Sequence, residues 1–138
     1  NAPMPRRTAV GIDNQRLSLI LAVLEKKLRV PFYNHDVYVN VVGGLSIDGT
    51  TADLGLAMAL LSSVKNKGVN LSKVMIIGEV GLTGEIRPVN SADRLVNEAE
   101  KMGFEYVIIP YRNMEKIRKG NINIIGVNNL REVIGKVF

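Results

Sequence analysis

The chain has 138 residues with 46% hydrophobic content, which suits one domain with a real core. It contains no cysteine and one histidine, so disulfides, thiolate metal sites and cysteine nucleophiles are excluded, and His35 alone cannot build a zinc site. The formal charge of +5, with 18 basic and 13 acidic residues, permits an anionic partner without demanding one.

Residues 1–5 are expected to be an expression remnant and a disordered N-terminus, and residues 6–138 a single domain. No apolar run reaches about 18 residues, so no membrane-spanning helix is expected. No apolar stretch follows Arg6–Arg7 as a signal peptide would require. A cytoplasmic location fits best.

Thr8–Ile12 is a candidate strand. Asp13 is placed to cap a helix whose Leu17, Ile20, Leu21, Leu24 and Leu28 recur at helical spacing. Arg16, Lys26, Lys27 and Arg29 lie off that stripe, and Pro31 ends the element. Val37, Val39 and Val41 alternate with Tyr38, Asn40 and Val42, the pattern of a strand, and Gly43–Gly44 breaks it. Leu45–Thr51 is a loop. From Ala52 to about Val64 a helix is apolar on most of its circumference, which predicts a central element. Thr51 is its expected N-cap, and residues 65–68 end it.

Val74–Ile77 is a continuous apolar run, expected to be a strand buried on both faces. Gly78–Gly84 and the extended Glu85–Val89, with Pro88 inside it, suggest a hairpin or sharp corner. Ser91 is the expected cap of a helix carrying Ala92, Leu95, Val96, Ala99 and Met102, stopped by Gly103. Tyr106–Ile109 is a buried strand stopped by Pro110. Asn113–Arg118 is a short basic helix, Ile122–Ile125 the last strand, and Asn129 caps a final helix with Leu130, Val133, Ile134 and Val137. The alternation in the second half favours parallel pairing. The Asp36–Val42 strand and the Glu79–Val89 segment look antiparallel. The expected fold is α/β (α+β), a mixed sheet flanked by helices.

For chemistry, no phosphate-cradling G-x-x-x-x-G-K-[ST] run occurs, and the glycines do not form a dinucleotide fingerprint. They are expected to serve turns. A Ser-His-Asp triad would rest on His35, which has no evident partner serine. A hydroxyl activated by a neutral lysine is the remaining nucleophilic option. Three Phe, four Tyr and no Trp argue against a base-stacking platform.

The run NVVGGLSIDGTTADLGLAMALLSS (Asn40–Ser63) resembles the nucleophile region of Lon peptidases, where a D-G-P-S-A-G-type motif presents the serine at the start of a buried helix. Asp48, Gly49 and Ala52 match. Thr50 stands for the proline, Thr51 for the serine and Asp53 for the second glycine. GEVGLTGEIRPVNSADRL (Gly78–Leu95) is similar to the Lon segment leading to the catalytic lysine, and Asp93 stands at the lysine's place. Thr51 and Asp93 are therefore vestigial positions, and no catalytic residue is assigned. An ionised carboxylate does not replace a lysine that must accept a proton.

The same segments, with RRTAVGIDNQRLSLILAVLEKK (Arg6–Lys27), VYVNVVGG (Val37–Gly44) and EAEKMGFEYVIIP (Glu98–Pro110), are more similar to the C-terminal domain of the bacterial DNA-repair family RadA, also called Sms. The resemblance implies a fold like the Lon protease domain and ribosomal protein S5 domain 2. It implies a parent protein with a zinc finger and a RecA-like ATPase, hence ATP, Mg and Zn, none of them assignable to this chain. It also implies a homohexameric ring acting in recombination and branch migration, with this domain a non-catalytic scaffold in sequence-independent contact with DNA.

Two basic clusters are compatible with such contact: Arg6, Arg7, Arg16, Lys26, Lys27 and Arg29, and Arg112, Lys116, Arg118 and Lys119. Asp53, Glu79, Glu85 and Arg87 pair either within the fold or across a subunit boundary. The alternatives are a peptidase using Thr51 with a lysine such as Lys73, and a protein-binding module with no DNA role.

Overall fold

The structure, a computed structural model, describes residues 7–10, 14–30, 37–40, 50–118 and 120–138. The Asp13 cap, His35, Gly43–Gly44, Asp48, Gly49, Arg6 and Lys119 lie outside the described residues, as does the side chain of Arg7.

Strand β1 (Arg7–Val10) leads through α1 (Asn14–Leu28) to β2 (Val37–Asn40). β1 and β2 pair in parallel, Arg7 against Val37 through Val10 against Asn40. This corrects the antiparallel expectation for the Asp36–Val42 strand. A helix lies between the two strands, and a helical crossover returns the chain in the same direction.

α2 (Asp53–Lys65) follows. It starts one residue later than the Thr51 cap requires: Ala52 is the N-cap, with no side-chain hydrogen bond. The first-turn amides are met by backbone carbonyls instead. Asp53 N–H donates to the Thr50 carbonyl, and Leu54 N–H to that of Gly78. The helix is buried nearly all round through Leu54, Leu56, Ala57, Met58, Leu60 and Leu61, and Asn66 closes it in the left-handed conformation.

β3 (Val74–Ile76), β6 (Tyr106–Pro110) and β7 (Asn123–Val127) form a parallel three-stranded sheet in the order β3-β6-β7. β6 is central, and Val107, Ile108 and Ile109 are fully buried. Ile108 points into the cluster with α1, α2 and α4 (Leu130–Val137). Val107 and Ile109 point the other way, onto Leu95, Val96 and Ala99 of α3 (Ala92–Lys101). Strand alternation thus splits one apolar run between two helical layers. Val74–Ile76 is only half-buried, because β3 ends the row of paired strands among the described residues.

β4 (Glu79–Val80) and β5 (Ile86–Arg87) form the expected antiparallel hairpin. Ser91 does precede α3, but in a left-handed conformation with no side-chain cap bond. Met102 falls beyond α3 and is exposed. Pro110 ends β6 as its last paired residue. The short basic helix is a 3-10 helix, Tyr111–Lys116, that leaves Arg118 outside. Asn129 caps α4 as expected, its side chain accepting from Glu132 N–H at 3.0 Å. The result is the expected mixed α/β fold of the Lon-like type.

Candidate functional site

The segment between α2 and the β4–β5 hairpin gathers the motif residues. Gly78 N–H donates to the Thr51 carbonyl at 3.0 Å, which fixes the start of α2 against the end of β3. Thr51 is buried. Asp93 lies exposed in the first turn of α3, where its charge suits the helix dipole. Among the described residues no hydrogen bond joins Thr51 and Asp93. Lys73 precedes β3, whereas Thr51 meets Gly78 beyond it. Five residues of extended chain span roughly 16 Å, so Lys73 stands at the wrong end to serve Thr51.

Asp53, at the place of the motif's second glycine, is 1% exposed. Burying a carboxylate is costly unless it is paired, and this one is paired completely. Arg16 Nε donates to its two oxygens at 3.0 and 3.1 Å, the Arg16 terminal nitrogen bonds it as well, and Val80 N–H donates to Oδ2 at 3.1 Å. Arg16 also donates to the Val80 carbonyl at 3.1 Å. α1, α2 and β4 are thus tied at one point. Arg16, read from the sequence as a phosphate-contact candidate, spends these donors inside the fold.

A second chain of polar contacts runs along the hairpin. Thr50 donates to Glu79, Glu79 lies 3.7 Å from Arg87, and Arg87 holds Glu85 at 3.1 Å. Thr83 donates to Glu85 through its hydroxyl at 2.7 Å and its N–H at 3.0 Å. The Thr83 hydroxyl, with backbone N–H groups and Arg87, lowers the Glu85 carboxyl from 4.5 to about 2. Gly81 permits this fold-back, since a Cβ there would collide with the Glu85 carboxylate. Glu79, Glu85 and Arg87 therefore pair within the chain.

The basic candidates separate. Lys26, Lys27 and Arg29 are exposed at the end of α1. Arg131, which sequence reasoning missed, reaches the Lys27 carbonyl at 3.4 Å from α4. Arg131 is also exposed, so the N-terminal cluster continues onto α4. Arg112, Lys116 and Arg118 are exposed on and after the 3-10 helix. Lys116 and Arg118 line a groove shared with Asp93 and Glu100, acids that offset part of their field. No group of three His, Cys, Asp or Glu able to hold a metal occurs among the described residues. No helix among them is long and apolar enough to cross a membrane.

The family model described as subunit ChlI of Mg-chelatase matches residues 6–113. The DNA repair protein RadA of Halalkalibacterium halodurans is 45% identical over 131 residues, 94% of this chain and 28% of the relative. RadA of Aquifex aeolicus is 44% identical over 134 residues, 97% and 30%, and RadA of Escherichia coli 41% identical over 130 residues, 94% and 28%. The chain therefore spans less than a third of the length of these relatives.

Proposed function

Because the chain belongs to the family described as subunit ChlI of Mg-chelatase, and also resembles the C-terminal, Lon-like domain of RadA proteins, we propose that it is a non-catalytic scaffold and DNA-contacting domain. Its parent would be a RadA-like, DNA-dependent ATPase that works as a homohexameric ring in recombinational repair and branch migration. The name of the relatives, DNA repair protein RadA, supports the repair role. ATP, Mg and Zn belong in this reading to the remaining length of such proteins, and no residue of this chain is assigned to them.

The observation that carries the reading is the use made of the motif positions. Where a Lon-type peptidase needs an activated hydroxyl, this chain has a buried threonine beside an aspartate locked to Arg16. That arrangement braces three elements, which is what a scaffold requires. Lys26, Lys27, Arg29 and Arg131 form the favoured phosphate-contact face, because they are exposed and the end of α1 meets α4 where Arg131 bonds the Lys27 carbonyl. Arg6 and Arg7 join this proposal from the sequence. Arg112, Lys116, Arg118 and Lys119 form a secondary one.

The test is fluorescence anisotropy with a labelled duplex at low salt, on the chain and on a variant with Lys26, Lys27, Arg29 and Arg131 all changed to Ala. Light scattering on both samples reads self-association. The proposal expects the variant to lose duplex affinity with its mass unchanged. Equal binding by both proteins would remove this face from the account.

A further inference from the structure

The turn of the β4–β5 hairpin carries Leu82, which is 65% exposed. A single exposed leucine is ordinary on a protein surface, so the setting must decide its meaning. Two independent features mark this one.

The first is rigidity. Gly84 N–H donates to the Gly81 carbonyl at 3.0 Å and closes the turn. Glu85 takes both the N–H and the hydroxyl of Thr83, while Arg87 holds Glu85. The turn backbone is therefore braced on the side that follows Leu82, and the leucine is presented outward rather than folded onto the core.

The second is its neighbourhood. Leu130 N–H donates to the Gly84 carbonyl at 3.0 Å, which seats the turn on the start of α4. A Cβ at Gly84 would lie 3.8 Å from the Lys27 side chain and 3.7 Å from that of Leu130. Leu82 is two residues from Gly84, within about 7 Å of chain. The turn that carries the exposed leucine thus meets the Lys27 side chain, Arg131 of α4 bonds the Lys27 carbonyl, and Lys26 and Arg29 flank the same end of α1. Among the acids of these elements, Glu85 is engaged by Thr83 and Arg87, Glu79 by Thr50 and Arg87, and Glu132 lies in the first turn of α4 beside the Asn129 cap.

We infer that Leu82 is an apolar wedge for branched duplex DNA. It enters the stack at a junction, where bases are already partly unpaired, while Lys27 and Arg131 hold the flanking phosphates. Apolar wedges of this kind separate base steps at a cost of a few kcal/mol per step. That cost is lowest at a fork. The phosphates supply the affinity and the wedge supplies the distortion. This inference rests on the DNA-contact and branch-migration reading above and adds the residue that deforms the DNA.

The experiment uses a forked duplex with 2-aminopurine at the junction, titrated with the 138-residue chain, with Leu82→Ala, with Leu82→Met, and with the Lys27→Ala, Arg131→Ala double variant. Fluorescence of 2-aminopurine reports unstacking, and anisotropy on the same samples reports binding. The wedge predicts a severalfold fluorescence rise with the parent chain and with Leu82→Met. Leu82→Ala should lose that rise while its affinity changes by less than about twofold, since backbone phosphates carry the binding. The double variant should bind more weakly. Binding without any fluorescence rise, or an undiminished rise with Leu82→Ala, would overturn the wedge and leave the DNA-contact reading standing. No binding by the parent chain at low salt would overturn both. A fall in mass by light scattering in Leu82→Ala, with the fluorescence response intact, would assign Leu82 to contact with a second copy and overturn the wedge.

Discussion

Arg16 and Asp53 lie 37 residues apart in sequence and form a two-pronged ion pair, with Asp53 also accepting from the Val80 amide at 3.1 Å. Removing one partner of a buried pair strands the other charge, at a cost of about 3 to 5 kcal/mol. Asp53→Ala should therefore lower stability by about 3 kcal/mol, read as a shift in the urea midpoint. Arg16→Ala should cost more, because it strands the 1%-exposed Asp53 carboxylate, whereas Asp53→Ala leaves an Arg16 side chain that is 22% exposed and can reach water. The double variant should be milder than the sum of the two single effects, the mark of direct coupling.

Glu85 gives a pH prediction. Its folded carboxyl titrates near 2 rather than 4.5, so the unfolded chain binds the proton more readily. The stabilisation is then fully present above about pH 4.5 and is lost as pH falls toward 2. Thr83→Val removes the largest cause. A carboxyl NMR titration of that variant should show Glu85 moving up toward its ordinary value, with a weaker acid limb in the melting temperature.

Gly55 sits on α2 where a Cβ would lie 3.1 Å from the Ile76 carbonyl oxygen. Alanine normally improves a helix by about 1 kcal/mol over glycine. Here the obstacle is strand backbone, which does not swing aside as a side-chain tip does. Gly55→Ala should instead destabilise by about 1 kcal/mol or more through overpacking, measured by chemical denaturation.

Thr51 and Asp93 are not linked, and Lys73 lies at the far end of β3 from Thr51. Turnover of labelled casein by the chain should be no greater than by its Thr51→Ala variant. A difference between the two would restore the peptidase reading.

Much of the fold was legible because periodicity is a local signal. Leu17, Ile20, Leu21 and Leu24 show the buried face of α1 directly, and all four are buried. The GEVGLTGEIRPV run announced its hairpin through glycines and Pro88. Pair direction was less legible. The β1–β2 pairing is parallel because α1 intervenes, and the residue alternation of Val37–Val42 carries no information about direction. Thr51 suggests a cap by its type alone, yet the local Thr50 carbonyl and the distant Gly78 carbonyl take the amides it would serve.

The site was half visible. Asp53 is the one charged residue within the apolar helix run 53–64, so a buried acid needing a cation was a readable signal. Which cation answered it was not readable, since Arg16 sits at the border of an amphipathic stripe where solvent-facing arginines are ordinary. Arg131 was missed for a related reason. It reaches Lys27 across 104 residues of sequence, and nothing in the local pattern of α4 points there.

The central claim is that this domain contacts DNA through phosphates. It is tested most directly by the equilibrium constant for a short duplex measured across ionic strength. Four engaged cations, Lys26, Lys27, Arg29 and Arg131, predict a log–log slope of about −3.6 and a loss of roughly a hundredfold in affinity between 50 and 200 mM salt. Each alanine substitution among them should reduce the slope by about one. A slope near zero, or no binding to duplex at low salt, would contradict the account.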